Sequence, residues 1–181
     1  PLIVGSQCLY QGELLALAEG GLYALAPGDS APRRIADAAA LPGSPWLVAG
    51  GDRLYGFHSD ACLLEPLTLQ DGTITRGEGL RLQNAAFEDP DDEAIQPEHI
   101  VLAGDVLYAL YRPQSMGGYK TRLVAWRLAD GQLLEPKAPE HLQAIAAYRD
   151  GLLLGLHMDA WAAANAPDPA ARQPGLIAFD P

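Results

Sequence analysis

The sequence is poor in basic residues, and only Lys120 and Lys137 are lysines. Its 12 Lys and Arg residues stand against 23 Asp and Glu residues, which gives a net charge of −11 at pH 7. Proteins that bind the phosphate backbone need a basic surface, so we expect no nucleic-acid partner. Long apolar runs are also missing. No stretch approaches the roughly 20 apolar residues that a helix needs to cross a bilayer, so we expect no membrane span.

Cysteine is scarce as well, and Cys8 and Cys62 do not share a short metal-binding spacing such as CxxC. The simplest interpretation of both cysteines is that they are small buried thiols. A disulfide between Cys8 and Cys62 is the alternative if the protein lies in an oxidising compartment. A complete catalytic signature is also missing, since Ser115 lacks the G-x-S-x-G setting of a nucleophile elbow. The sequence therefore assigns no catalytic residue, no metal ligand set and no cofactor.

The sequence does contain a recurring phrase, in which two short apolar runs are separated by small turn residues. It occurs as "WLVAGGDRLYGFH" (46–58), "IVLAGDVLYALYR" (100–112) and "AIAAYRDGLLLGLH" (144–157). This pattern is typical of a tight β-hairpin. A strand–turn–strand phrase such as "LVAWRLADGQLLEP" (123–136) follows each hairpin. The two phrases together divide the chain into four repeats, at about 1–41, 45–80, 98–140 and 142–181.

A repeat of about 45 residues has the length of a β-propeller blade, which contains four antiparallel strands. We therefore predict an all-β protein, a β-propeller of about four blades, in a single domain over 1–181. The last repeat ends at "LIAFDP" (176–181) without a fourth strand. The leading "PLIVGS" (1–6) could complete that repeat, and so could another chain or segment. A closed four-bladed disc and a part of a six- to eight-bladed ring both stay open.

The stretches "LVAWRLADGQLLEP", "LIAFDP" and "GLYALAPGD" resemble the repeat of quinoprotein-like (PQQ-type) propellers. The resemblance covers the second half of each repeat and implies a propeller that is often extracytoplasmic in bacteria. The family's repeat closes on a tryptophan, whereas this sequence has Arg34 and Ile35 in the first repeat and Leu134 and Glu135 in the third. The resemblance therefore implies a periplasmic or secreted protein. Because the closing tryptophan is absent, we expect that this protein does not bind a quinone.

Two six-residue stretches, "GFHSDA" and "GLHMDA", place a histidine and an aspartate alike in the second and fourth repeats. His58 and His157 each end a predicted second strand, and Asp60 and Asp159 follow two residues later. Side chains at i and i+2 project to the same side of an extended chain, so each pair could bind a ligand or a metal ion. The alternative is a turn in which the aspartate accepts backbone N–H groups. Because the pairs lie two repeats apart, we favour the turn and expect no metal.

Two loops of opposite charge complete the candidates. The stretch "FEDPDDEAIQPEH" (87–99) is acidic, but its spacing is not that of an EF-hand, so a solvated loop is expected. The stretch "YRPQSMGGYKTR" (111–122) offers Arg112, Lys120 and Arg122. These three side chains could bind an anionic ligand or could pair with the acidic loop.

Two functions fit these features. The favoured one is a non-catalytic binding or scaffold module that recognises a protein or carbohydrate partner through loops on one rim. The alternative is a propeller hydrolase or lyase that uses His58 or His157 with Asp60 or Asp159, with or without a metal ion. The fold alone does not choose between them.

Overall fold

The computed structural model describes residues 4–18, 20–85, 96–112, 121–139, 142–147, 153–157 and 175–181. These residues form β-strands joined by turns, with one short 3₁₀ helix at Ala38–Ala40. The all-β prediction is confirmed. Within these ranges no helix is long and apolar enough to cross a membrane. The chain divides into two compact units, an N-terminal unit over 1–82 and a C-terminal unit over 83–181.

The N-terminal unit contains two antiparallel sheets. The first sheet consists, in spatial order, of β1 (Val4–Tyr10), β2 (Glu13–Ala18), β3 (Gly21–Leu25) and β4 (Arg33–Asp37). The second sheet consists of β5 (Trp46–Gly50), β6 (Arg53–His58), β7 (Leu63–Gln70) and β8 (Thr73–Arg76), with β9 (Leu80–Arg81) also paired to β7.

The C-terminal unit also contains two antiparallel sheets. The third sheet consists of β10 (His99–Ala103), β11 (Val106–Tyr111), β12 (Arg122–Arg127) and β13 (Leu133–Leu134). The fourth sheet consists of β14 (Leu142–Ala147), β15 (Leu153–His157) and β16 (Gly175–Phe179). In the described ranges it has three strands where the first and third sheets have four.

Local turn chemistry explains the hairpins. Gln11 and Gly12 join β1 to β2 with φ values of 50° and 83°, and Asp71 and Gly72 join β7 to β8 with 51° and 75°. Two consecutive residues with positive φ form the type I′ turn that matches the twist of paired strands. The Gly- and Asp-containing pairs in the sequence therefore mark hairpins, as the repeats predict.

Of the two alternatives for the missing strand, the one in which the leading segment completes the fourth repeat does not hold for residues 4–6. Val4 pairs with Ala18 and Ser6 pairs with Leu17, so this segment belongs to the first sheet. No turn residue interrupts the run from Ser6 to Tyr10, and the short turn after it brings β2 alongside. This segment therefore pairs within the local hairpin of β1 and β2. Residues 1–3 lie outside the described ranges.

The outer edge of β7 changes partner halfway along, a feature that the repeats do not predict. Residues 67–70 of β7 pair with β8, whereas Leu63 and Leu64 pair with β9. Pro66 lies between these two ladders and has no N–H to donate. Its carbonyl oxygen accepts a hydrogen bond of 2.8 Å from the Gly77 N–H. The chain therefore leaves the edge at Gly77 and returns as β9.

Each compact unit has its core between two sheets that face each other. Strand residues alternate between the faces of a sheet, so alternate apolar residues collect on the packed sides. In the N-terminal unit this core contains Leu15, Leu17, Leu22, Ala24, Ile35, Leu41, Leu47, Leu54 and Leu67. In the C-terminal unit it contains Ala103, Tyr108, Leu110, Ala125, Leu142, Ile145 and Leu153.

A buried hydroxyl connects β1 to β5 inside the N-terminal unit. Ser6 is buried, and its Oγ accepts a hydrogen bond of 2.7 Å from the backbone N–H of Leu47. This N–H needs a partner because burial removes it from water. The irregular register between Val4 and Ser6 sets the hydroxyl at the edge of β5.

Replacement of Ser6 by alanine should therefore destabilise the protein by about 1–3 kcal/mol, because a buried backbone N–H loses its acceptor. Urea unfolding should show a lower midpoint with an unchanged m-value. Ser30→Ala, at an exposed position, is the matched control and should leave the midpoint unchanged. Equal midpoints for the two variants would contradict the role given to the Ser6 hydroxyl.

Candidate functional site

A charged cluster in the second sheet includes one of the predicted histidines. His58 is the last residue of β6 and pairs with Leu63, while Glu65 on β7 pairs with Gly56. His58 and Glu65 are therefore diagonal neighbours on one face of the sheet. Gly56 carries no side chain, and Pro45 fills the space above it, since a Cβ at position 56 would lie 3.1 Å from the Pro45 Cγ.

Glu65 is the one buried charged residue in the described part of the chain. Its Oε2 lies 3.1 Å from His58 Nε2 and 2.9 Å from Arg76 Nε, and its Oε1 lies 2.5 Å from Arg76 Nη2. Because an ionised carboxylate only accepts hydrogen bonds, the His58 Nε2 is assigned as the protonated nitrogen. The guanidinium grips the carboxylate with two parallel bonds, which is the strong geometry for this pair.

These contacts set the charge state of Glu65. The hydrogen bond from Arg76 lowers the pKa of Glu65, burial acts in the opposite direction, and the hydrogen bond from His58 lowers the pKa further. The same pairing raises the pKa of Arg76. The net direction for Glu65 is downward, so this carboxyl is ionised at neutral pH, in a cluster that balances its charge.

The other side of the His58 ring is covered by the connection between β4 and β5. Gly43 has a φ of 78°, and a Cβ built there would lie 3.4 Å from His58 Nδ1. Glycine allows both this left-handed backbone and this close approach to the imidazole. His58 is thus fixed between Gly43 and Glu65, which is the arrangement of a structural histidine more than of an exposed base.

His58 and Asp60 do not share an extended strand, so the i, i+2 geometry of the ligand-binding alternative does not apply to them. β6 ends at His58, and the chain turns over residues 59–62. Asp60 lies exposed within that turn. The i, i+2 rule applies to a continuing strand, and here the strand ends two residues before Asp60. The acid that approaches His58 is Glu65, seven residues further along the chain.

His157 ends β15 as His58 ends β6, but it belongs to the C-terminal unit. Its side chain and the whole of Asp159 lie outside the described residues. The prediction that this pair lies in a turn and holds no metal ion therefore stays a prediction. Among the described residues, no three His, Cys, Asp or Glu side chains gather in a way that could hold a metal ion.

Arg112, one of the predicted anion-binding residues, contacts an acid of the preceding loop. Its Nε lies 2.7 Å from Glu98 Oε1, its Nη2 lies 2.9 Å from Glu98 Oε2, and the same Nη2 lies 3.0 Å from Gln143 Oε1. The hydrogen bond from Arg112 lowers the pKa of Glu98. Arg122 begins β12 opposite Tyr111, and Lys120 lies outside the described residues. The contacts of Arg112 therefore agree with the alternative in which this basic loop pairs with the acidic loop before it.

Both cysteines are free thiols. Burial raises the pKa of Cys8 to about 12, which keeps this thiol protonated and unreactive. Burial also raises the pKa of Cys62, although Arg81 opposes the shift. Cys62 has a φ of 45° in the turn after β6, and its N–H donates to the Ser59 carbonyl at 3.2 Å.

A second feature, which the sequence reasoning missed, is an acidic end on the sheets. In an antiparallel sheet the turns between strands one and two and between strands three and four lie at the same end. Each of these turns from β3 to β13 contains one exposed aspartate, namely Asp29, Asp52, Asp71, Asp105 and Asp130. The Gly- and Asp-containing turns predict hairpins, and the common end of the aspartates within a sheet follows from the strand order. We call these five residues the turn aspartates.

No family model matches the sequence, and no curated protein matches it. The Dos1 propeller matches with a TM-score of 0.51 and 10% identity, over 99% of this chain and 48% of that one. This likeness, together with the four antiparallel sheets, shows a β-propeller fold.

Two weaker likenesses accompany it. An extracellular domain assigned to a one-component system of B. thetaiotaomicron gives a TM-score of 0.46 and 18% identity, over 86% of this chain and 20% of that one. The calcium-binding protein regucalcin of Agrobacterium tumefaciens gives a TM-score of 0.35 and 11% identity, over 87% of this chain and 54% of that one. The chain thus spans between about a fifth and about half of the length of these proteins.

Glu65→Gln should lower the stability at pH 7 by about 1–3 kcal/mol, because the amide cannot replace the carboxylate between Arg76 and His58. Since the folded-state pKa of Glu65 lies below its ordinary value of 4.5, this stabilisation is complete above that value. It is lost as the pH falls through the folded-state pKa. Urea unfolding at a series of pH values should show the deficit shrinking in acid. Glu78→Gln, at an exposed position, is the control, and a deficit independent of pH would contradict the role of Glu65.

We expect the purified protein to carry no stoichiometric transition metal, and its Tm to be unaffected by a chelator. The reason lies at Glu65, whose carboxylate is already neutralised by a guanidinium 2.9 Å away that would repel a divalent cation. Elemental analysis and thermal unfolding with and without chelator provide the measurement. One metal ion per chain, lost in both His58→Ala and His157→Ala, would reverse this expectation.

Proposed function

We propose that the chain is a non-catalytic binding module that recognises a basic surface of a protein partner with the acidic end of its sheets. The turn aspartates are the observation that supports this proposal. All five are exposed, and within each sheet they lie at one end. Charges presented in this way attract a partner of opposite sign and orient its approach.

The charge balance of the whole chain supports the same partner. A net charge of −11 on 181 residues repels acidic proteins and nucleic acids and favours basic surfaces. A carbohydrate partner is the other expectation from the sequence. Neutral sugars gain little from an array of carboxylates, so we favour a protein.

The enzyme alternative receives less support from the charged cluster. A histidine that acts as general base needs a nitrogen within reach of the substrate. The Nε2 of His58 is engaged with Glu65, and Gly43 lies against the Nδ1 side of the ring. We therefore assign the His58 cluster to the stability of the fold rather than to a hydrolase or lyase reaction.

The proposal includes two further expectations, one about the kinship of the repeats and one about the location of the protein. The resemblance to quinoprotein-like repeats, carried by "LVAWRLADGQLLEP" and "LIAFDP", supports kinship of the repeats without quinone chemistry. The same resemblance supports a periplasmic or secreted location, where a binding module would meet partners outside the cytoplasm.

The proposal is tested by selecting ligands from a random peptide library on the purified protein. Selected peptides should be rich in Arg and Lys, and their affinity should fall as salt rises from about 0.05 to about 0.5 M, because screening weakens exposed ion pairs. The triple variant Asp52→Asn, Asp71→Asn, Asp105→Asn should bind them about tenfold more weakly, at ~0.5 kcal/mol for each lost surface pair.

The matched control removes the same charge away from that end of the sheets. Asp60, Glu78 and Glu135 are exposed and lie beyond the opposite ends of β6, β8 and β13. The triple variant Asp60→Asn, Glu78→Gln, Glu135→Gln should keep the wild-type affinity within about twofold. Equal losses in the two triple variants would show a non-specific charge effect and overturn the proposal. Enzyme activity that disappears with His58→Ala would also overturn it.

A further inference from the structure

One end of the first sheet carries three leucines in a row on the face that points away from the core of its compact unit. Leu9 of β1 pairs with Leu14 of β2, and Leu14 pairs with Leu25 of β3. Residues directly opposite each other project to the same face of a sheet. Leu15, the next residue of β2, points to the other face and belongs to the core. We call Leu9, Leu14 and Leu25 the leucine row.

The leucine row is open to solvent although it is apolar. Leu9 is 70% exposed, Leu14 is 37% exposed, and Leu25 is half-buried. A single exposed leucine is common on a protein surface and needs no explanation. Three that are paired side by side form a contiguous apolar strip, and contiguous apolar surface points to an interaction site.

The opposite end of this face is covered by the first sheet itself. Ala18 at the end of β2 is buried and pairs with Gly21. A Cβ built at Gly21 would lie 2.9 Å from the Nε of Arg34, whose guanidinium pairs with Asp37 and donates to the Gly20 carbonyl. Arg34 therefore lies over the end of the face where Ala18 and Gly21 pair. The open surface is limited to the end that carries the leucine row.

Two of the turn aspartates flank the leucine row. Asp29 lies in the connection that follows Leu25, where its Oδ2 accepts a hydrogen bond of 3.0 Å from the Ala26 N–H. Asp52 lies next to the end of β1, since its backbone carbonyl accepts a hydrogen bond of 3.2 Å from the Tyr10 hydroxyl. Both aspartates are exposed. One turn aspartate thus lies beyond each end of the row.

The two basic residues of the first sheet are committed to other acids. Arg33 pairs with Glu13 at 2.5 Å, and Arg34 pairs with Asp37. Negative charge therefore remains on both sides of the apolar strip. The complementary chemistry is a group of apolar side chains with a positive charge on either side.

We propose that the leucine row binds an extended segment of the basic protein partner, in which apolar residues are flanked on both sides by Arg or Lys. The row crosses two strand spacings, or about 10 Å, which roughly three extended residues span. The apolar residues of the segment cover Leu9 and Leu14, and its basic ends meet Asp29 and Asp52. This site rests on the proposed function, because the turn aspartates of the acidic end supply its charge.

Two other occupants fit the leucine row less well. An anionic membrane surface would be repelled by the turn aspartates and by the net charge of −11. A second copy of the chain would bring the same net negative charge to the contact. A basic segment gains from the charges that these two occupants would have to overcome.

Fluorescence anisotropy with two labelled synthetic peptides tests the proposal. One has the order Arg-Lys-Leu-Val-Leu-Lys-Arg, and the other keeps the charges in the order Arg-Lys-Ser-Thr-Ser-Lys-Arg. The wild-type protein should bind the apolar peptide at least about tenfold more tightly than the polar one, because only the apolar peptide buries the leucine row. In Leu9→Ser and in Leu14→Ser this ratio should fall to about twofold or less.

Leu176→Ser is the matched control, since Leu176 is 69% exposed but belongs to the fourth sheet. It should keep the wild-type ratio. If the wild-type protein binds both peptides equally, or if Leu9→Ser keeps the ratio, the leucine row is not the site. The proposed function survives that result provided that both affinities fall with salt.

Two further results would also overturn the site. Absence of binding by either peptide at low salt would count against the proposed function and the leucine row together. Sedimentation velocity would assign the row to a second copy if the wild-type protein formed a dimer and Leu9→Ser a monomer. We expect the wild-type protein and Leu9→Ser to sediment alike.

Discussion

The structure depends on one constraint, that a sheet with two apolar faces needs cover on both. In β11 five consecutive residues are buried, so both faces of this strand are covered. Stacking sheet on sheet meets this need within each compact unit, where two sheets share one apolar core. Stability in such an arrangement resides in the contacts between neighbouring sheets more than in any single sheet.

Against this apolar background, the cluster of Glu65, His58 and Arg76 is an exception that needs an explanation. A buried carboxylate is costly unless its charge is paired and its oxygens accept hydrogen bonds. Glu65 meets both conditions, and its partners come from two different strands, with Gly43 closing the cluster from a third segment. The cluster specifies how the connection before β5 lies over the second sheet.

The strands were predictable from the sequence, because hairpins are encoded locally by Gly- and Asp-containing turns between apolar runs. The two-residue strand β9 was not, since it forms only where Pro66 interrupts the edge of β7. The site was predicted in part: the sequence singles out His58, but of the acids near it in sequence it considers only Asp60, whereas the acid that contacts His58 is Glu65. Glu65 was overlooked because it sits within an apolar strand and meets Arg76 only after folding, 11 residues along the chain. Such contacts depend on register, and residue spacing does not reveal it.

The divided outer edge of β7 bears on how the protein behaves in solution. A long, regular edge strand presents a row of N–H and C=O groups to which other chains can pair, and this is a route to aggregation. Here the outermost strands beside β7 are short, with four residues in β8 and two in β9. Between them, Pro66 contributes no donor and its carbonyl is occupied by Gly77. The interruption thus shortens the template that this strand-rich chain would offer to its neighbours at high concentration.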